Sequence, residues 1–514
     1  MALSIFACYS DDTNLSIASL ISEAEKYGEI FELKILHQTF VCLNSEGLIR
    51  KALATEPYTR FMNEKTKIFF GEAMLYGGQS VALYRDPYKD IFLGMIKGIH
   101  VYGQGGYTEF EENIQLELCR LNKKIESFGD NDFDMVALIQ RSLTNVISQV
   151  LIGESLSDDD TDVNMFWDYI EGVNFFLNAS VNNILSFMPV LRFAPAFKSK
   201  YDFASKGKNT IIERFFKGRK DKANGSTKGL VDFLLEEQRK TIEEGKEVIF
   251  TDERIIGNIL ETVVAGILTT WSVLTSTMLC LVNHPEYQDK VFEEIDKSIG
   301  RDRSPNHSDK VHCPHLDALE LEVHRLITVV PILAGRKCTR DLEFEGYYLP
   351  KGTLLMANIW YIHHDPKIWG DPWNFRPERF LDTDGQLLHR EHVFRRNCIP
   401  FAVGRRQCLG EQFARSRYFL YTATLLRKWK FVGSPGKFGS CDPRDSAFID
   451  NKVTYRAKSF FCSAPILEEL KWKLLSLKTS RKMPTSSVVF GTKQKMKAEE
   501  YLIRCGVKEN RAGA

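Results

Sequence analysis

The chain has 514 residues, of which 44% are apolar and 26% charged, and its formal net charge is +1. This composition is ordinary for a globular protein, and the length suits one large domain or two to three smaller ones. The near-neutral charge gives no sign of a nucleic-acid binder or an acidic tail. Eleven cysteines occur without a Cys-x-x-Cys pair, which argues against a disulfide framework or structural zinc site and favours a reducing compartment.

The N-terminal third is predicted to mix short strands with amphipathic helices. Periodicity and turn residues predict a helix at 16–26, a β-hairpin from strands 29–36 and 39–43, and a helix at 46–53. A loop-rich stretch at 67–82 and a helix from about residue 85 follow. Further helices are predicted at 111–124, 135–151, 164–177 and 229–239. Residues 184–197 are apolar and contain two prolines, which suggests a loop that caps the core.

A long helix is the main predicted element of the second half. Asp252 is expected to cap it, and it runs to about residue 283, about 40 Å or more at ~1.5 Å per residue. Helices at 291–298 and 317–330, strand-like segments at 329–353 and 442–462, and a proline-rich stretch at 371–380 follow. Residues 465–514 are Lys-rich and predicted to be a flexible extension. The expected fold class is mainly α with a small β region.

The most specific motif is the segment 401–410, which reads Phe-Ala-Val-Gly-Arg-Arg-Gln-Cys-Leu-Gly. Cys408 precedes an apolar run with helical period, so the amides and dipole of a helix N-terminus would stabilise its thiolate. Gly404 permits a turn with positive φ, and Gly410 permits close approach of a flat ligand. A thiolate held in such a loop suits a single axial metal bond.

These residues carry a resemblance to a known family. Phe401, Gly404, Arg406, Cys408 and Gly410 match the haem-binding loop of the cytochrome P450 family, and the resemblance extends over residues 16–464. It implies a P450 fold with haem b between the cysteine loop and the long helix, and with the Cys408 thiolate on the iron. It also implies a catalytic domain at 1–464 and a separate extension at 465–514.

The resemblance is closest to the microsomal steroid- and xenobiotic-metabolising type and implies a haem-dependent monooxygenase. Such an enzyme inserts one atom of O₂ into an apolar small substrate, here a steroid, a fatty acid or a xenobiotic. The sequence has no dinucleotide-binding motif after a strand, so electrons are expected from a separate NADPH–cytochrome P450 reductase, with cytochrome b5 as a second candidate donor. A basic docking face is expected from Arg396, Arg405, Arg415, Arg427 and Lys428.

Further positions match the family residue by residue. Glu322, Arg325 and Arg379 correspond to a buried Glu-Arg-Arg network, in which charges persist because they are paired and hydrogen-bonded. Arg406 and Arg336 correspond to basic partners of the haem propionates. Tyr88 aligns with a further family residue that donates a hydrogen bond to a haem propionate. The phenol O–H of Tyr88 can make the same kind of bond.

In the family, an arginine that also reaches a haem propionate follows this donor by four residues. The corresponding residue here is Phe92, which cannot donate a hydrogen bond. We therefore expect haem positioning to differ from the family pattern at this point.

The long helix contains the family's oxygen-activating segment, Ala265-Gly266-Ile267-Leu268-Thr269-Thr270. The resemblance implies that Gly266 opens a groove for O₂ and that Thr269, with Thr270, steadies O₂ and its proton supply. The family's acid is replaced by Leu268. We therefore expect slowed or uncoupled oxygen activation, and we expect Leu268→Glu to raise the product formed per NADPH.

Two alternatives and the location remain open. The same fold supports peroxide isomerases and dehydratases, and the changes at residues 92 and 268 would also suit a catalytically impaired haem- or ligand-binding protein.

The resemblance implies the cytosolic face of the endoplasmic reticulum membrane, with peripheral membrane contact near 184–197. No spanning segment of ~18 apolar residues precedes the domain, and if that absence is genuine the protein would be cytoplasmic. Substrate-lining positions are expected at 69–76, 258–262 and 329–333.

Overall fold

The computed structural model describes residues 3–4, 17–35, 38–81, 94–95, 106–156, 162–221, 229–450 and 454–466. Within these ranges the protein is mainly helical, with one six-stranded sheet and three smaller sheets. The predicted fold class is therefore confirmed. The helices of four or more residues are Ile17–Tyr27, Glu46–Ala54, Tyr58–Phe61, Phe69–Met74, Gly106–Phe128, Met135–Ile152, Asp162–Leu177, Ala179–Phe187, Pro195–Ile211, Leu230–Glu243, Asp252–Asn283, Pro285–Ser298, Pro314–Ile327, Ile359–His364, Pro366–Trp369, Val393–Asn397 and Glu411–Lys428.

The six-stranded sheet contains the predicted hairpin. Its strands lie in the order Leu3–Ser4, Ile30–Ile35, Gln38–Leu43, Leu354–Asn358, Ile332–Lys337 and Glu64–Lys65. The hairpin pairs Phe31 with Cys42 and Ile35 with Gln38 in antiparallel register. At the far edge Lys65 lies opposite Arg336. Small sheets are formed by Leu342–Phe344 with Tyr347–Leu349, by Ile449–Asp450 with Arg456–Ala457, and by Val432–Gly433, Phe461–Ser463 and Phe133–Asp134.

Asp252–Asn283 is the central helix and runs through the largest apolar core. Most of its residues are buried because it is apolar on all sides, as a helix inside a large core must be. Its predicted bounds are confirmed, but the predicted cap is wrong. Thr251 is the N-cap, since its hydroxyl accepts from the Arg254 N–H, whereas Asp252 already lies in the first turn. The Asp252 carboxylate instead accepts hydrogen bonds from Gln238 and Lys220.

Two segments differ from their predicted form. Phe69–Met74 is a short helix inside the predicted loop, because Phe69, Phe70 and Met74 bury their side chains. Residues 184–197 are not a loop, and they cover the core only in part, since Leu185 is buried in it and Leu191 and Phe197 pack against it. They end one helix, form the 3₁₀ turn Pro189–Phe193 and begin another helix, and they expose Phe187, Met188, Val190 and Phe193.

Two helices among the described residues, Met135–Ile152 and Asp252–Asn283, are long and apolar enough to cross a bilayer. Both are mostly buried inside the protein, which is also the property of core helices.

Candidate active site

A tight loop precedes the helix Glu411–Lys428, which we call the cysteine helix. The Cys408 N–H donates to the Phe401 carbonyl at 2.9 Å, and the Gln407 N–H donates to the Gly404 carbonyl at 3.0 Å. Gly404 has φ +84°, and a Cβ there would lie 2.1 Å from the Leu53 carbonyl oxygen. Only glycine fits both the backbone conformation and this close approach.

Cys408 lies at the N-terminal end of the cysteine helix, and Gly410 is the N-cap residue. The Gly410 N–H hydrogen-bonds the sulfur and so favours the thiolate, but burial by surrounding protein has the larger effect and raises the Cys408 pKa to about 11. The thiol is nevertheless solvent-accessible. Gly410 leaves room beside the cysteine, because no atom lies within 4 Å of a Cβ built there.

The central helix has an accessible stripe in the middle of its buried length. Glu261, Thr262, Gly266 and Thr269 are partly accessible, and Ala265 is exposed. Residues spaced by three or four positions share one helix face. The Glu261 carboxylate contributes to the raised pKa of Cys408, so this face of the central helix lies near the cysteine loop. We call the region between them the inter-helix cavity.

Gly266 and Leu268 lie in different surroundings. A Cβ on Gly266 would lie 2.9 Å from Ile147 Cδ1, so this glycine lets the central helix pack closely against Met135–Ile152, and it also remains on the accessible stripe. Leu268 is buried among core side chains. A carboxylate at 268 would therefore be desolvated, which argues against the expected gain in coupling from Leu268→Glu.

The two threonines of the segment lie in different surroundings. Thr269 is partly accessible, and its hydroxyl donates to the Ala265 carbonyl one turn earlier at 2.7 Å. Thr270 is buried, and its hydroxyl oxygen accepts from Arg417 Nη2 at 2.9 Å. Of the two, only Thr269 is on the accessible stripe.

Three cationic side chains gather beside the cysteine loop. Arg336 is buried and donates to the Arg406 carbonyl at 3.1 Å, and Arg406 donates to the Val81 carbonyl at 3.3 Å. Lys65 lies opposite Arg336 in the sheet register. Burial and the charges of Arg336 and Arg406 lower the Lys65 pKa to about 7, against a weaker opposing effect of Glu261. Arg336 and Arg406 therefore lie close enough to Lys65 to lower its affinity for a proton. Tyr88 and Phe92 lie outside the described residues.

Glu322, Arg325 and Arg379 form one buried charge network. Glu322 receives two hydrogen bonds of 2.8 Å from Arg325, a bidentate pair, and Arg379 Nε lies 3.0 Å from the same carboxylate. Further N–H groups of the two arginines donate to backbone carbonyls: Arg325 to those of His363 and Pro372, and Arg379 to those of Trp369 and Asn374. Burial lowers the Arg379 pKa, and Glu322 opposes that effect. The network joins Pro314–Ile327 to the segment before the cysteine loop.

Three further residues border this site and were given no individual role from the sequence. Glu261 lies in the predicted substrate-lining range 258–262, and its place on the face of Ala265 and Thr269, four and eight residues later, could have singled it out. Lys65 belongs to a two-residue strand that is too short for a periodic signal. Arg417 lies in a cysteine helix whose buried residues include polar ones on several sides, so nothing in the sequence separated it from surface arginines.

Comparisons with known proteins agree with this arrangement. A family model described as Cytochrome P450 matches residues 13–454. Relatives include cytochrome P450 1A1 of Opsanus tau, 30% identical over 82% of each chain, and of Cavia porcellus, 29% identical over 80% of this chain and 81% of the relative. A solved zebrafish cytochrome P450 with progesterone superposes with a TM-score of 0.73 and 24% identity, over 88% of this chain and 99% of that chain.

The family match covers most of the chain, and the structural likeness supports the same fold. The fold and the family use haem b held by a cysteine thiolate. The chain belongs to the cytochrome P450 family of haem-thiolate monooxygenases.

Proposed function

We propose that this chain oxidises apolar small organic substrates, such as steroids, fatty acids or xenobiotics, with Cys408 as the haem ligand. The observation that carries the proposal is that the accessible Cys408 lies near enough to the accessible stripe of the central helix for Glu261 on that stripe to influence its thiol. A catalytic domain at 1–464 and a separate extension at 465–514 are part of the proposal. The described chain stays packed through Ile466, which bridges to Trp429.

The residues present fit haem b. Cys408 would supply the thiolate, and Gly410 leaves room beside it. Arg336, Arg406 and Lys65 would hold the two propionates, because these cations lie close together beside the cysteine loop and haem carries two carboxylates. Phe401 holds the loop through its carbonyl and packs its ring on His324 and Arg415. When bound, haem with this ligand supplies reductive activation of O₂.

Proton supply is assigned to the accessible stripe rather than to position 268. The Thr269 hydroxyl is accessible and can exchange its bond to the Ala265 carbonyl for one to a substrate or a water. Glu261 lies on the same face, about 12 Å along the helix axis. Its carboxylate would hold a proton and pass it to Thr269 through water in the cavity. Ala265 between them keeps the path free of a bulky side chain.

The substrate side of the cavity is assigned to a smaller set than the sequence suggested. Of residues 258–262, Glu261 and Thr262 have accessible side chains, whereas Asn258 is buried and accepts from the Val81 N–H at 2.9 Å. Val330 is 37% exposed, directly after Pro314–Ile327. The zebrafish relative solved with progesterone supports an apolar, steroid-sized substrate class.

Electrons are proposed to come from NADPH–cytochrome P450 reductase, with cytochrome b5 as a second donor, through the surface outside the cysteine loop. Several of the expected docking cations are engaged within this chain. Arg396 pairs with Glu46 and Glu391, Arg415 with Glu320 and Glu411, Arg427 donates to a carbonyl, and Lys428 pairs with Glu126. Arg405 is exposed in the cysteine loop, three residues before Cys408, so the proposed docking face includes it.

Membrane association at the cytosolic face of the endoplasmic reticulum is also proposed. It is supported by the exposed Phe187, Met188, Val190 and Phe193, since a contiguous apolar surface commonly marks a membrane or protein contact. Binding of the purified protein to neutral phospholipid vesicles tests it. Asp substitutions at Val190 and Phe193 should abolish vesicle binding, and unchanged binding would contradict the proposal.

A second function is favoured by one observation, the apolar residue at 268 in place of an acid. Peroxide isomerases and dehydratases of this fold need no external O₂ or reductase, so the absence of the acid should lower their activity less than that of a monooxygenase. The test measures product formation from a steroid and xenobiotic panel with NADPH and reductase, and from a lipid hydroperoxide without either. NADPH-dependent oxygenation supports the proposal. Hydroperoxide turnover alone supports the second function, and neither activity in haem-loaded protein indicates a ligand-binding role.

A further inference from the structure

Arg417 is a buried arginine on the cysteine helix that reaches the central helix. It is 2% exposed. Its Nη1 donates to the Gly266 carbonyl at 3.0 Å, and its Nη2 donates to the Thr270 hydroxyl at 2.9 Å. The guanidinium also stacks 4.0 Å from the centroid of the Phe413 ring. One side chain therefore joins the helix that follows Cys408 to the segment proposed for oxygen activation.

The charge of Arg417 has no carboxylate partner among the described residues. Its contacts are a carbonyl, a hydroxyl and a ring, and its Nε has no hydrogen-bond acceptor there. Arg415, two residues earlier, contrasts with it because Glu320 and Glu411 both pair with that guanidinium. Burying an arginine without an anion costs several kcal/mol. Burial lowers the Arg417 pKa only to about 9, so the group remains charged at neutral pH.

An anion that could balance this charge arises at Cys408, in the loop directly before the helix that carries Arg417. The electrostatic influence of Arg417 lowers the pKa of Cys408, and that of Cys408 raises the pKa of Arg417. The thiolate forms when the iron is bound, because metal ligation requires the deprotonated sulfur. Arg417 and Cys408 are therefore placed to stabilise each other in the haem-loaded protein.

We propose that Arg417 is a positioning residue of the haem site. Its guanidinium balances the charge of the Cys408 thiolate and fixes the Gly266–Thr270 turn of the central helix against the cysteine helix. The inference rests on the proposed function of Cys408 as haem ligand. A fixed positive charge near the ligand favours the more negative, reduced state of the bound iron, and charge and hydrogen bonds around the ligand are the means by which proteins set such potentials.

The test is the midpoint potential of the substrate-free, haem-loaded protein, measured together with its reduced carbon monoxide spectrum. Arg417→Met removes the charge and both hydrogen bonds, and Arg417→Gln removes the charge but keeps one donor, which makes it the better-tolerated neutral variant. Both should shift the potential to more negative values. Arg417→Lys, which keeps the charge, should stay near the wild type. Thr270→Val, which removes one acceptor and keeps the charge, should leave the potential unchanged.

Lys428→Gln is the control for loss of a positive charge on the same helix, because Lys428 is at the far end and pairs with Glu126. It should not move the potential. Equal potentials for Arg417→Gln and the wild type would overturn the inference, as would a shift for Arg417→Lys as large as that for Arg417→Gln. A wild-type protein without the thiolate-type spectrum would instead overturn the assignment of Cys408, so the two failures are distinguishable.

Discussion

Lys65→Met tests whether the cationic cluster is built for an anionic cofactor. In the protein without haem, the charged lysine is destabilised by burial and by Arg336 and Arg406, which lower its pKa from 10.5 to about 7. Taken in full, that shift corresponds to roughly 5 kcal/mol. Solvent reaches the partly accessible ammonium, so we expect a gain in unfolding free energy of about 1–3 kcal/mol when methionine replaces it.

The pH dependence has a defined sign. The folded pKa of Lys65 lies below its unfolded value, so the penalty is fully present below about pH 7 and is lost as the pH rises toward 10.5. Urea unfolding of haem-free protein should therefore show the largest advantage of Lys65→Met in mildly acidic buffer and a small one in alkaline buffer. Haem affinity should change in the opposite direction. It should be about tenfold weaker in Lys65→Met, because one lost propionate contact corresponds to ~1.4 kcal/mol.

Lys67→Met is the matched control, because Lys67 is exposed two residues farther along the chain. It should change neither the haem-free stability nor haem affinity. If Lys65→Met leaves haem affinity at the wild-type value, or lowers the stability of the haem-free protein in mildly acidic buffer, the cluster is not an anion site and the reasoning is refuted.

Three further substitutions test the rest of the site. Glu322→Ala leaves two buried arginines without their carboxylate and should cost about 3–5 kcal/mol in urea unfolding; a cost below about 1 kcal/mol would contradict the network. Gly404→Ala should be about 1–3 kcal/mol more destabilising than Gly352→Ala, because both glycines have positive φ but, of the two, only Gly404 has a neighbour within 4 Å of a built Cβ. Gly404→Ala should also impair haem loading. Equal losses of stability in the two variants would refute the close-approach argument. Glu261→Gln should lower product formed per NADPH with an unchanged Soret band, and unchanged coupling would remove Glu261 from the proton path.

The sequence predicted those parts of the molecule whose signal is local and periodic. The hairpin and the bounds of the central helix follow from alternation and from a continuous apolar run between polar ends. The segment 184–197 was predicted as a loop over the core, but the sequence could not show that Leu185 is buried whereas Phe187 and Val190 are exposed, because exposure depends on what packs over each side chain. The cap of the central helix moved by one residue because Asp252 and Thr251 are both good cap residues, and side-chain geometry decided between them.

The site was predictable where chemistry depends on adjacent residues, and less so where it depends on distant ones. The loop around Cys408 is one short segment, and Gly404 occupies a position that the backbone conformation requires to be glycine. The environments of Leu268 and Gly266 depend instead on neighbouring helices, so the sequence could name these residues but not say which way they face. Lys65 and Arg417 matter because of burial beside other charges, which no local pattern encodes.

The reduced carbon monoxide difference spectrum of haem-loaded protein tests most directly whether Cys408 is the iron ligand. The wild type and Cys119→Ser should both show the thiolate-type Soret band, because Cys119 is an exposed cysteine on Gly106–Phe128, away from the cysteine loop. Cys408→Ser should lose that band. A Cys408→Ser protein that binds haem and retains the thiolate-type band would contradict the account.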